Sequence, residues 1–279
     1  MEHYINHSFK NLLNVAEDNK HRYLSSNPFP NIVLKDFFNP EMLDRVLREF
    51  PDLLKMNDSK IYDTQLERKL TVKQDYIFGK QTKIFLNFLN SQPFLRFIQI
   101  LTGINETLLG DPYFEGGGLH QIKRGGYLKV HADFNKHKLT GLDRRVNILI
   151  YLNKNWKNDY GGYLELWDRD MKFCVKRIIP EFNTVVIFST TDYTYHGHPN
   201  PLNCPEEMRR KSLALYYFSN GRPETEINPD LPIHSTLFKE RAENINDKSE
   251  FLKYRIRSII AKLVPRFLYT PIRRLMNDT

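Results

Sequence analysis

The stretch GGYLKVHADFN, residues 125–135, places His131 and Asp133 one residue apart in a run that reads as a β-strand. Side chains two apart on a strand share a face. With one further histidine they would offer two imidazoles and a carboxylate. Such a set covers one face of an octahedron, leaves three adjacent positions open and suits non-haem Fe(II). Taken alone, a His-x-Asp is as readily a solvated strand pair, so the decision rests downstream. There STTDYTYHGHPNPL (189–202) brings His196 and His198, and EMRRKSLALYYF (207–218) brings Arg210 and Ser212. Two neutral imidazoles and one carboxylate leave a divalent ion with net positive charge, able to attract an anionic, chelating co-substrate. Arg210 offers a planar fork for a second carboxylate farther from the metal. Ser212 projects from the same strand face, whereas Arg209 and Lys211 turn to the opposite one and read as solvated charges.

The elements that must position these residues are short. From GDPYFEGGG (110–118) to about 220, apolar runs alternate with turn signals. Strands are expected at 119–123, 127–131, 145–152, 162–167, 172–178, 184–189, 193–196 and 212–218. About eight short strands at this spacing suggest a closed barrel or jelly roll. Before them, FFNPEMLDRVLREFP (37–51) reads as a helix capped by Asn39 with Pro40 at its first position. Residues 80–103 read as two consecutive helices, the second running from Ser91 to Gly103. The first hundred residues are therefore expected to be mainly helical, with 57–75 a polar connection. The expected organisation is a helical region over 1–109 integral to the domain, a β core over 110–222 and a basic helical extension over 223–279.

Five fragments in order carry a resemblance: HAD (131–133), RRVNILIYLNKNW (144–156), YGGYLELW (160–167), HGHPNPL (196–202) and RKS (210–212). Over roughly 115–222 the chain resembles the Fe(II)/2-oxoglutarate-dependent dioxygenases, and within them the prolyl 4-hydroxylase-like group. The resemblance implies a mainly β core with flanking helices, an α+β protein built on a double-stranded β-helix (jelly roll) with the metal at its mouth. It implies that His131, Asp133 and His196 are the catalytic metal ligands, since His196-Gly-His-Pro fits the family frame and His198 becomes a neighbour. It implies that Arg210, Ser212 and Tyr151 bind 2-oxoglutarate, with Tyr151 lining its pocket. The implied reaction hydroxylates a C–H bond and releases succinate and CO₂, with ascorbate as a supporting reductant. Two departures put a prolyl substrate in doubt. Leu128 stands where many prolyl hydroxylases have Tyr, and Asn147 where the long strand has Thr. An amino acid, peptide, sugar or glycan, or another small metabolite, all remain open as substrate. A zinc-dependent hydrolase and a non-catalytic jelly-roll binding protein are the alternatives.

The 279 residues are 41% hydrophobic and 27% charged, with a net charge of +8, which is ordinary for a globular protein. Residues 253–274 hold seven Lys or Arg and no acid. The rest is nearly neutral, so a nucleic-acid footprint is not expected. Tyr254, Ile256, Ile259, Ile260 and Leu263 fall at helical spacing in that stretch. They predict a helix packed on the barrel, with a membrane surface or partner protein as the alternative. Two cysteines, Cys174 and Cys204, are too few for a disulfide framework. No leader-like start and no long apolar run is present. A cytoplasmic protein, peripheral to a membrane if the basic stretch binds one, is the expectation. His120 and His137 read as surface or pocket-rim residues. Tyr113, Phe114, Trp156 and Trp167 read as core in preference to a cleft lining.

Overall fold

A computed structural model describes residues 3–9, 11–231, 233–242 and 244–263. Four helices lie in the first 102 residues, interleaved with three strands: α1 (Leu12–Leu24), α2 (Pro40–Glu49), α3 (Lys80–Leu89) and α4 (Gln92–Thr102). Asn39 caps α2 by accepting from the amides of Glu41 and Met42, with Pro40 opening the first turn. Gly103, at φ 68°, closes α4 in the left-handed conformation that a side chain would disfavour.

Twelve strands are described: β1 (Asn31–Lys35), β2 (Lys60–Asp63), β3 (Glu67–Val72), β4 (Gly118–Ile122), β5 (Tyr127–Ala132), β6 (Asp143–Tyr151), β7 (Leu164–Trp167), β8 (Cys174–Ile178), β9 (Thr184–Ser189), β10 (Tyr195–His198), β11 (Arg210–Ser219) and β12 (Leu237–Phe238). They join in the order β1-β9-β6-β11-β4-β3-β5-β10-β7-β8, with β2 on β3 and β12 on β5. Every ladder between these strands is antiparallel. The sheet curls into the jelly-roll core of an α+β protein.

Alternation along the long strands separates two interiors. On β6, Val146, Ile148 and Ile150 face the helices, and on β11 so do Leu213, Leu215 and Tyr217. There they meet Phe37, Phe85, Phe94 and Phe97, all buried. Each such side chain contributes about 1.5–3 kcal/mol of burial. The other face of the same strands, with Leu149 and Tyr151, turns into the barrel beside Leu164, Leu166, Val186 and Phe188.

The eight expected core strands appear within two or three residues of their bounds. The first hundred residues differ from expectation. Residues 57–75 form the β2–β3 hairpin in place of a loop, and β1 pairs with β9. The charged residues of β3 are tolerated because the strand fills the gap between β4 and β5, pairing with both. After the core, β12 extends β5, and helix α5 (Ile245–Leu263) follows. Phe251 and Asp247 are buried, but Tyr254 and Ile256 are exposed, so these two do not pack on the barrel as expected. The side chains of Ile259, Ile260 and Leu263, and all of 264–274, lie outside what the structure describes.

Candidate metal centre and anion pocket

His131 ends β5, and Asp133 follows it by two residues. The paired strand β10 places His196 directly opposite His131. The two strands approach closely beside this pair: a Cβ on Gly197 would stand 2.8 Å from the Leu128 carbonyl and 2.9 Å from that of Lys129. Glycine there is a requirement of the approach. The two rings lie 4.5 Å apart by their centroids.

Both rings are oriented from behind. His131 Nδ1 stands 2.8 Å from the Lys129 carbonyl, and His196 Nδ1 3.2 Å from the Thr194 carbonyl. A carbonyl only accepts, so each Nδ1 carries the proton and each Nε2 presents a lone pair. Those Nε2 atoms converge on one carboxylate, His131 at 3.5 Å from Asp133 Oδ1 and His196 at 3.4 Å from Oδ2. One ligand atom from each residue falls within 4.8 Å of the others, and this is the metal-competent cluster found among the described residues. Nitrogen and oxygen donors of this kind on one side of a cavity fit an iron(II) ion with open positions.

Asp133 is fixed by residues outside that set. Asn147 Nδ2 donates to its Oδ2 at 2.7 Å, and Arg144 Nη2 stands 3.0 Å from the same oxygen. The second contact is an ion pair without good hydrogen-bond alignment. Arg144 is held in turn by its Nε bond to Asn147 Oδ1 at 2.9 Å and by the faces of Tyr216 and Phe134, at 3.4 and 4.5 Å. Burial by itself would raise the Asp133 carboxyl. Arg144, His196 and His131 more than offset this and hold it well below the usual carboxylate range. Burial pushes His196 down to about 4, so it is a neutral, lone-pair donor at neutral pH.

Arg210 opens β11 and lies buried in the wall of the same cavity. Its Nε donates to the Gly162 carbonyl at 2.9 Å, and Nη2 donates to the Tyr151 hydroxyl at 3.2 Å. Gly162 has φ 71°, and a Cβ there would meet Arg210 Cδ at 3.0 Å and Leu202 at 2.5 Å. These two bonds engage two of the guanidinium's five donors and aim the fork. Ser212, two residues on, opens into the same cavity. The Tyr151 side chain is fully buried in the barrel interior, and its hydroxyl accepts from Arg210 and supports the guanidinium.

The cavity holds about 300 Å³. Lys60, Tyr62, Glu67 and Lys69 from the hairpin line it, together with Arg144 and Tyr216. Sequence reading missed this wall. Charged residues alternating on a short strand look solvated until the partner strands are known. His120, expected at the surface or pocket rim, lines the cavity and is partly buried, and desolvation lowers it to about 3. His137 is buried, with Nε2 3.3 Å from Asp111 Oδ1. His198 lines the cavity outside the metal-competent set. Burial and then Arg210 hold it well below the ordinary histidine value. Phe114, Trp156 and Trp167 are buried in the core, and Tyr113 is exposed.

Comparison with known proteins agrees with this geometry. Residues 117–218 match the model of the 2OG-Fe(II) oxygenase superfamily. A stretch of 95 residues is 34% identical to the prolyl 3-hydroxylase OGFOD1 of Mus musculus, covering 32% of this chain. The match spans only 17% of that protein's length. The prolyl hydroxylase of Trichoplax adhaerens, solved with a hypoxia inducible factor oxygen degradation domain peptide fragment, superposes with a TM-score of 0.55. It is 18% identical and covers 77% of this chain and 93% of that one. HygX of Streptomyces hygroscopicus, solved with nickel, 2-oxoglutarate and hygromycin B, superposes with a TM-score of 0.50. It is 12% identical and covers 84% of this chain and 98% of that one. At these identities the two structures speak for the shared fold. Residues 117–218 therefore resemble the 2OG-Fe(II) oxygenase superfamily, and the surrounding chain shares the jelly-roll fold of these structures.

Proposed function

We propose that the chain is an Fe(II)/2-oxoglutarate-dependent dioxygenase that hydroxylates a C–H bond of a peptide, glycan or other small polar substrate. The observation that carries this reading is the convergence of two backbone-oriented Nε2 atoms and one carboxylate in a cavity whose wall also holds a braced arginine. A zinc hydrolase needs the first and has no use for the second.

In this reading His131, Asp133 and His196 hold iron, and Arg210 binds the far carboxylate of 2-oxoglutarate. When bound, the metal and the 2-oxo acid supply the oxidative chemistry, with succinate and CO₂ as the co-products. The chain supplies orientation. The carbonyls of Lys129 and Thr194 fix the tautomers, Asn147 and Arg144 fix the carboxylate, and Tyr151 and Gly162 fix the guanidinium. Ser212 adds a hydroxyl beside Arg210. Leu128, Leu149 and Leu164 add apolar surface to the cavity wall. The mixed charges of Lys60, Glu67, Lys69 and Glu115 in the same wall suit a polar substrate better than an apolar one.

The test is anaerobic loading with Fe(II) followed by O₂, with 2-oxoglutarate and a panel of prolyl peptides, glycans and amino acids. Succinate formation and a product heavier by one oxygen are the expected results. Zinc-dependent hydrolysis without succinate would overturn the reading. A cytoplasmic location belongs to it as well, supported by Cys174 and Cys204 both being free thiols. Among the described residues no helix is long and apolar enough to cross a membrane. At the described start of the basic stretch, the exposure of Tyr254 and Ile256 beside Lys253 and Arg255 favours contact with a surface over packing on the barrel. Co-sedimentation with anionic vesicles tests that.

A further inference from the structure

We propose that His198 is a second, direct partner of the far carboxylate of the 2-oxo acid, working with Arg210; this rests on the oxygenase reading above. The first observation is a buried, unsatisfied ring. His198 is 4% exposed, and neither Nδ1 nor Nε2 has a hydrogen-bond partner. His131 and His196 differ from it in this respect, since each has one nitrogen against a backbone carbonyl. Buried polar groups are nearly always paired, and one that is not has a missing partner to account for.

The second observation is where the ring stands. His196 and His198 are two residues apart on β10, so both side chains point into the barrel. The strand carries His198 away from the metal-competent set by roughly 6–7 Å, two residues at about 3.3 Å each. That is comparable to the span between the two ends of a five-carbon dicarboxylate. His198 pairs with Leu128, whose side chain offers it no polar group.

The third observation is its company. Arg210, Ser212, His120 and Lys69 line the same cavity. Ser212 is directly opposite both His120 on β4 and Tyr151 on β6. One anion would satisfy a ring that otherwise has nothing to bond. An imidazole carries at least one N–H in either of its charge states, so it can donate to a carboxylate beside the arginine fork. No other anionic group in the described cavity wall faces this end: Glu67 is ion-paired with Lys69 at 3.0 Å, Glu115 with Lys73 at 2.5 Å, and Asp133 belongs to the metal cluster.

The test compares two ligands on the full chain. Anaerobic Fe(II) protein is titrated with 2-oxoglutarate and, separately, with 2-oxobutyrate, which chelates identically but lacks the far carboxylate. The metal-to-ligand charge-transfer band reports binding without turnover. For His198→Phe, the affinity for 2-oxoglutarate should fall about ten- to a hundredfold, the range of one charge-assisted hydrogen bond. Affinities for Fe(II) and 2-oxobutyrate should stay as in wild type. His198→Gln, which returns an N–H, should recover part of the loss and guards against a folding defect in the Phe variant. Arg210→Lys should give the same selective pattern through loss of the planar fork. An equal loss for both ligands, or no loss for either, overturns the role of His198 while leaving the oxygenase reading intact. Absence of any 2-oxoglutarate-dependent band in the wild-type protein overturns both.

Discussion

Asp133 is gripped by Asn147 and Arg144 on one oxygen, with a histidine Nε2 near each oxygen. It is the single anionic member of the cluster, so its loss should be felt twice. Asp133→Ala is expected to abolish most Fe(II) affinity in anaerobic titration. It should also leave the Arg144 guanidinium buried opposite nothing, lowering stability by about 3–5 kcal/mol. Asp133→Glu keeps the charge but moves the oxygens outward by about 1.5 Å, one carbon–carbon bond. That variant should retain some metal and form little product, because geometry sets the productive complex. Iron binding and turnover in Asp133→Ala equal to wild type would remove this residue from the ligand set. At this scale the sequence was informative where residue type alone implies chemistry, as with His131, Asp133, His196 and Arg210. It was silent about Arg144 and Lys69, and it marked Asn147 only as a departure from the strand pattern, without its bond to Asp133. An arginine in an alternating strand reads as facing water, and only the closed barrel shows that the inward face is its home.

At the scale of elements, the core strands were legible because apolar runs such as TVVIFS and RVNILIYL have one structural use. The β2–β3 hairpin was not. Its KIYD and ERKLTV segments offer an apolar face only at Leu70 and Val72, and β3 is held by pairing with β4 and β5, some fifty residues downstream. Nor was the seat of α5 legible. Lys129 of β5 is buried, bonded to Asp247 at 2.9 Å and Glu250 at 2.5 Å, and Arg241 pairs with Asp247 at 2.7 Å. Lys129 also supplies the carbonyl that orients His131. Asp247→Ala should cost about 3–5 kcal/mol in denaturant unfolding, since it strips a buried cation of one partner. It should also raise hydrogen exchange along β5 and β12. A variant as stable as wild type would mean that Glu250 alone satisfies Lys129.

For the whole molecule, the metal cluster joins β5 to β10, which lie side by side but are sixty residues apart in sequence. A ligand that binds only the folded chain stabilises it by mass action, about 2.7 kcal/mol at a hundred times its dissociation constant. Nickel(II), which is inert to O₂ here, should therefore raise the melting temperature of wild type. A chelator should reverse the rise, and 2-oxoglutarate should add to it. Asp133→Ala should show neither effect. A wild-type melting temperature indifferent to nickel would count against a preformed site.

The single sheet has one more consequence, for how far the chain can be trimmed. The family match ends at 117 and 218, yet the ladder does not. Cutting there would strip β1 from β9, β3 from the gap between β4 and β5, and both acids from Lys129. The helix-facing side of β6 and β11 would lose its cover of phenylalanines. A fragment of 117–218 is therefore expected to aggregate, or to melt without cooperativity, at any metal concentration. The recognisable third of this protein is the part that holds the chemistry, and it is not a unit that can stand without the parts no motif announces.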